Sequence, residues 1–299
     1  MLCWSPRFGQ WCVWLLLVSA LYPALLPYEP VLGVRQQTSA TLIAILPSEL
    51  LDSYWFYEAI RWSLIVSAVA WMIFKWIPWT CWTTCISYIL LWALRIENSD
   101  SSQQVFQLTS MLLIIHAIWF HFYHCAIQAA RDGKDYWQSP LYPRWVFVAA
   151  VAYIGMFHAL AGFSKIRASG LDWGDGLSLQ LWVYLLATKT SPLANLILAS
   201  RTIARILQSS LLVTQTASIL AVFNNWLRLL IGMLLVGFYL GAFVTFWDGG
   251  YLINGLLVSL FFLPLEPWLN RDTFEIAFPG LAASGQGLKK RSQKTAKRR

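Results

Sequence analysis

Charge is scarce in this sequence: Asp, Glu, Lys and Arg make up 12% of its 299 residues, against 58% hydrophobic. Soluble domains carry about 25% charged residues, so the composition excludes an ordinary soluble fold and points to an integral membrane protein. Cysteine is scarce too. The five Cys (3, 12, 81, 85 and 125) form no CxxC pair and no Cys/His cluster with zinc spacing, which excludes a disulfide framework and a zinc module. Cys81 and Cys85 lie one turn apart on a predicted helix and read as packing residues. There is no internal repeat and no separate soluble domain. Acid is absent from the last eleven positions, seven of which are basic (Lys289, Lys290, Arg291, Lys294, Lys297, Arg298, Arg299). Removing those seven from 22 leaves 15 basic against 14 acidic residues. The body is therefore nearly neutral, and the tail reads as a positive-inside signal rather than a nucleic-acid site.

Long apolar runs are plentiful. Residues 11–27 make a first span, since the apolar character continues beyond them and no clear small-residue cleavage site follows. A loop over about 28–56 ends in the aromatic cluster Tyr54-Trp55-Phe56-Tyr57. Further spans are predicted over Ile60–Phe74, Trp79–Leu94, Val105–Ala129, Trp145–Gly162, Leu207–Phe223, Leu227–Trp247 and Tyr251–Leu265, each near the ~20 residues that cross a bilayer. Leu177–Thr188 is too short and reads as an interfacial or re-entrant helix; 189–206 has no settled assignment. The expected fold is an all-α integral membrane bundle of about eight transmembrane helices with one short interfacial helix, over residues 1–270. A basic, disordered cytoplasmic tail follows over 271–299. Arg7, Lys75, the Arg131/Lys134/Arg144 loop and the tail place both termini in the cytoplasm, with Arg201 and Arg205 counting mildly against. The expected site is a bacterial inner membrane, or an ER-type membrane in a eukaryote. The 18 Trp and 12 Tyr suit interfacial belts as well as bundle packing.

The stretch from Phe157 to Gly176 draws attention because an ionisable residue at membrane depth is a functional candidate. Lys165 ends an apolar run, and His158 lies seven residues before it, within about 20° on a helix. On the preceding span His116, His121 and His124 share an arc of roughly 140°. If the two helices touch, these groups can line one cavity. Lys165 then has two readings: a neutral amine acting as a base in an apolar pocket, or a side chain snorkelling to headgroups. Spacing alone favours snorkelling. A metal or haem site from the four His lacks an acidic second shell in the spans, and none is expected. Asp172 and Asp175 flank Trp173 and read first as caps for the short helix.

Ala161-Gly162-Phe163-Ser164-Lys165, followed by Asp172-Trp173-Gly174-Asp175-Gly176, resembles the Ala-Gly-x-x-Lys and Asp-Trp-x-x-Gly segment of vitamin K-dependent gamma-carboxylases. Their membrane part is the horizontally transferred transmembrane (HTTM) domain. Tyr136-Trp137, Trp145 and the stretch from Gly237-Phe238-Tyr239 to Leu263-Pro264 are similar in the same order, so the resemblance covers about 55–265. It implies that Lys165 is the base toward a quinone-type lipid cofactor, a vitamin K-like hydroquinone, with His116, or in competition with it His121, as the counterpart of a functional His in the preceding helix; His158, on the same helix face as Lys165, is the other candidate partner. It implies further that His121, Trp173 and Tyr239 line the cofactor position. The chain departs from the family in having Ser164 where a companion Lys stands, three extra residues before Trp173, and Tyr239 in place of a His. No large lumenal region follows the membrane part, so full Glu carboxylation is not expected. Small proteins of this domain also resemble the sporulation-delaying toxin maturation membrane protein, which makes a non-catalytic partner in maturation or export of a secreted peptide the alternative. The expected partners are the lipid bilayer and a secreted peptide or protein, with no nucleic acid.

Overall fold

The computed structural model describes residues 3–4, 6–26, 50, 53–73, 75–98, 104–132, 142–187 and 191–263. Within these the chain is helical almost throughout. The α-helices are α1 (Pro6–Leu25), α2 (Tyr54–Met72), α3 (Trp79–Asn98), α4 (Gln104–Asp132), α5 (Arg144–Ser169), α6 (Leu177–Leu186), α7 (Pro192–Ala199), α8 (Arg201–Ala217), α9 (Asn225–Phe246) and α10 (Gly249–Phe262). Short 3-10 turns, Gly170–Asp175 and Ser218–Val222, extend α5 and α8. Two residue pairs form a minimal antiparallel sheet, β1 (Cys3–Trp4) with β2 (Tyr142–Pro143), in which Trp4 faces Tyr142. This sheet ties the N-terminus to the start of α5. The basic tail, Tyr136, Trp137 and the loop over 28–49 lie outside the described residues.

The all-α expectation holds, but the count of eight crossings does not carry over by length and apolarity. Among the described residues two helical stretches, Arg144–Asp175 and Asn225–Phe246, are long and apolar enough to cross a membrane. A third is added if Pro192–Ala199 and Arg201–Val222, bent by 106° at their junction, are one broken span. Elsewhere the apolar runs are shorter, as in Trp11–Leu25, Trp79–Leu94 and Gly249–Phe262. Glu58 and Arg61 on α2 and the three His on α4 dilute the hydropathy of those helices.

The boundaries differ in one consequential place. The predicted fifth span ends at Gly162, whereas α5 continues to Ser169 and is about 39 Å long at 1.5 Å per residue. Lys165 therefore lies one turn inside the end of the helix on which its spacing from His158 placed it. The segment left without assignment becomes α7 and the start of α8, because Ser191 and Ser200 each cap a new helix through Oγ, from Ala194 and Ile203 N–H.

Aromatic packing fills the core. Trp71 meets Phe120 edge-on at 5.4 Å, Phe120 meets Trp119 at 4.6 Å, and Trp119 meets Tyr142 at 5.2 Å. Trp55, Trp76, Trp79 and Trp247 are exposed, so Trp serves both packing and the outer surface. Cys12, Cys81 and Cys85 are buried free thiols. On the other side of the bundle, α5 packs antiparallel on α8 through small residues. A Cβ on Gly155 would lie 2.8 Å from the Ser218 carbonyl oxygen, and one on Gly162 would lie 2.8 Å from the Thr216 nitrogen. Ser218 Oγ donates to the Gly155 carbonyl at 2.7 Å, a small-residue contact reinforced by a hydrogen bond of the kind that holds helices in lipid. α9 and α10 form an antiparallel hairpin, with Gly232 against Phe262 and Gly255 against Tyr239.

Gly162→Val should push α8 off α5, costing about 1–3 kcal/mol. Gly237→Ala, where an added Cβ meets nothing within 4 Å, should be neutral or stabilising by up to about 1 kcal/mol. Unfolding of the purified protein in detergent measures both; equal effects would remove the close-packing account.

Candidate functional site at the end of helix α5

Antiparallel packing brings the last turns of α5, the turn Gly170–Asp175 and the second half of α8 together. Lys165 is half-buried and donates from Nζ to Gln215 Oε1 at 2.6 Å. Its Nζ also stands 4.8 Å from the centroid of the Trp173 ring, a cation–π distance. Among the described residues no carboxylate lies within 4.0 Å of this nitrogen. The side chain thus turns toward α8 rather than reaching freely outward.

The loop is held in place by α8. Gln208 Nε2 donates a very short hydrogen bond to the Trp173 carbonyl, and Gln208 Oε1 accepts from Leu179 N–H at 3.1 Å. Ser209 Oγ donates to the Gly174 carbonyl at 2.8 Å. Gly176 adopts φ +91°, and a Cβ there would lie 2.6 Å from the Arg205 nitrogen, so a side chain is excluded by both space and conformation. Asp175 caps the start of α6, accepting from Leu177 N–H at 2.8 Å, and pairs with Arg201 at 3.4 Å. The capping reading of Asp175 is what the structure shows, while Asp172 is exposed.

Two turns back along α5, His158 is 1% exposed. Its Nδ1 is 2.7 Å from the Ile154 carbonyl and its Nε2 is 2.8 Å from the Tyr239 hydroxyl. The carbonyl can only accept, so Nδ1 carries the proton and Nε2 accepts from Tyr239 O–H. The Asn254 side chain reaches the same hydroxyl, and Asn254 Oδ1, buried, meets no donor among the described residues. His116 repeats the arrangement in another place, with Nδ1 on the Leu112 carbonyl at 2.7 Å and Nε2 on the Tyr142 hydroxyl at 2.7 Å. Its ring packs against Phe261 and Trp119. Burial, followed by the neighbouring Cys12, pushes the Tyr142 phenol well above its usual range, which keeps it a neutral donor.

The expected single His-lined cavity therefore does not form. α4 and α5 touch, as in the hydrogen bond from Tyr153 Oη to the Gln107 carbonyl. Yet His116 faces the Tyr142 cluster, and His121 is exposed and accepts from Trp82 Nε1 at 3.3 Å on α3. His124 Nδ1 lies on the His121 carbonyl. On α4, His116 and His121 meet different neighbours, Tyr142 and Trp82, and so stand in separate surroundings. Among the described residues no group of His, Cys, Asp and Glu could hold a metal ion. Of the sequence candidates, Lys165 and Trp173 form one contact, His158 and Tyr239 a second, and His116 and His121 stand elsewhere. Gln208, Ser209, Gln215 and Asn254 were missed. Their signal was present, since amides and hydroxyls within predicted spans mark interhelical hydrogen bonds.

Known protein families, curated proteins and solved structures contain no match to this chain. The class defined by its fold and site is an apolar helical bundle in which, among the described residues, two to three helices are long and apolar enough to cross a membrane and one of them carries a lysine near its end.

Tyr239→Phe should leave the His158 Nε2 buried without a donor and cost about 1–3 kcal/mol, whereas the double change with His158→Leu should recover part of that loss. A double-mutant cycle on unfolding reads the coupling; additive losses would show that the pair does not interact.

Proposed function

We propose that the chain is a multi-pass membrane protein of about eight crossings that uses a quinone-like lipid cofactor, with Lys165 as the base. The observation that carries this reading is a half-buried lysine whose polar partner is a neutral amide, Gln215, and whose flat neighbour is Trp173. A structural lysine at such a depth is expected to pair with an acid; this one has none among the described residues. The motif shared with the HTTM domain of vitamin K-dependent gamma-carboxylases supports the same residue. Beside α5, α9 and the bent pair α7–α8, the helices α1, α2, α3, α4 and α10 supply the five further crossings in this reading, with aromatic and polar ends in the headgroup layers.

The residues suit a planar, phenolic ligand. Trp173 offers a ring face, and Gln215 Oε1 takes one N–H of Lys165, which fixes the direction of the remaining valences of Nζ. In the neutral amine one of those is the lone pair that accepts a phenolic proton. A hydroquinone, when bound, supplies the redox chemistry. Gln208 and Ser209 hold Trp173 and Gly174 against α8, so the aromatic wall and the base are positioned by the same helix. His158 has its Nε2 engaged by Tyr239 and so orients helices rather than competing as the base.

Lys165→Ala should lower hydroquinone-dependent oxygen uptake by purified protein by at least about 10²-fold, the lower end for loss of general base catalysis. Unchanged turnover in a folded variant would sink the catalytic role. Co-purification of a secreted peptide or second membrane protein that is indifferent to the change would instead favour a maturation partner.

A further inference from the structure

The side-chain nitrogen of Lys165 has few partners. Nζ donates to Gln215 Oε1 at 2.6 Å and stands over the Trp173 ring, 4.8 Å from its centroid. Among the described residues no carboxylate lies within 4.0 Å of it. Gln215 is itself 6% exposed, so its oxygen is withdrawn from water and turned to this nitrogen. The surroundings of Nζ thus offer one hydrogen-bond acceptor and one aromatic face.

Each form of the nitrogen asks something different of these two neighbours. An ammonium carries three N–H donors and no lone pair, so two of its donors meet no acceptor among the described residues. A neutral amine carries two N–H donors and a lone pair; Gln215 takes one donor, and the lone pair is left open as a nucleophile. An iminium, the product of that nucleophile and a carbonyl carbon, carries a single N–H and a positive charge. Gln215 Oε1 accepts that N–H, and the face of Trp173 stabilises the charge as a cation–π contact. Of the three forms, the iminium is the one whose donor and charge are both answered by the groups present.

In the membrane reading the carbonyl compound arrives from the bilayer. Lys165 lies one turn before the end of α5, in a stretch long and apolar enough to cross a membrane. Leu160 and Phe163 on the same helix are exposed. An aldehyde on an apolar chain suits this setting, since its carbonyl carbon is unhindered and its chain remains in the lipid phase.

We infer that Lys165 condenses with an apolar aldehyde to form an iminium. The amine lone pair makes the C–N bond while the carbonyl π pair moves onto oxygen. One N–H proton passes to that oxygen, and the resulting hydroxyl leaves as water with a second proton taken from solvent at the helix end. One N–H stays on nitrogen, and nothing is oxidised or reduced. The inference shares with the reading above a neutral amine at Lys165 and a membrane setting, but not the hydroquinone.

The test uses the full chain purified in detergent and treated at neutral pH with dodecanal and cyanoborohydride, whose hydride fixes the iminium as a secondary amine. Peptide mass mapping then locates the adduct. Lys165 should carry it ahead of Lys75, which is exposed in the turn between α2 and α3. Gln215→Leu should slow labelling of Lys165 about tenfold, the loss of one hydrogen bond to a charged group. Trp173→Leu should slow it as well, with labelling of Lys75 the same in both variants. Labelling of Lys165 no faster than that of Lys75 in the unaltered protein would overturn the inference, and so would an unchanged rate in a Gln215→Leu variant that keeps the circular-dichroism spectrum of the parent. Glyoxylate reacting at Lys165 as fast as dodecanal would overturn the apolar class of the ligand. Hydroquinone-dependent oxygen uptake that requires Lys165, in a protein that dodecanal does not label there, would defeat this inference alone. Labelling of Lys165 in a protein whose uptake survives Lys165→Ala would defeat the base reading alone.

Discussion

Everything near Lys165 depends on how closely α5 approaches α8. Where Gly155 and Gly162 carry no side chain, backbone meets backbone, and Ser218 bridges the two helices by donating to the Gly155 carbonyl. In an apolar environment this contact gains little from the hydrophobic effect, since lipid tails are as apolar as leucine. Dispersion at short range and satisfied hydrogen bonds do the holding. A wider gap would carry Gln215 away from Lys165, because a 2.6 Å hydrogen bond has no slack.

The same closeness organises the loop. Once α8 lies against α5, its Gln208 and Ser209 reach back to the carbonyls of Trp173 and Gly174, and Gly176 allows the chain to pass Arg205 at backbone contact. Trp173 is thereby set beside Lys165, and α6 is launched from the start of α8. The lysine, its aromatic wall and the placing of α6 are products of one helix–helix contact. The two His–Tyr pairs act at other levels of the bundle. His158 joins α5 to α9 through Tyr239, and His116 joins α4 to the strand before α5 through Tyr142. In each, the imidazole gives its one proton to its own helix and takes one from a tyrosine, so two buried polar groups satisfy each other without charge.

Much of the local structure was legible. Apolar runs located most helices, and the capping role of Asp175 followed from its place before a short helix. Other features were not. α5 runs beyond Gly162 because Phe163 to Ser169 contains no helix breaker, a point hidden by ending the span where hydropathy falls. Counting crossings by apolar runs gave about eight, while length and apolarity together leave two to three among the described residues, since Trp, Tyr, His and scattered charges shorten the apolar windows.

What the sequence determined by itself was an apolar, helical chain with a basic tail and a lysine two helical turns from a histidine, because periodicity and composition are local properties. Only the tertiary structure decided which polar groups meet. A helical arc fixes the direction of a side chain relative to its own axis, but not which neighbour stands there. For that reason His116 and His121, neighbours on one helix, part to Tyr142 and Trp82, while Lys165 and Gln215, fifty residues apart, come within hydrogen-bonding distance.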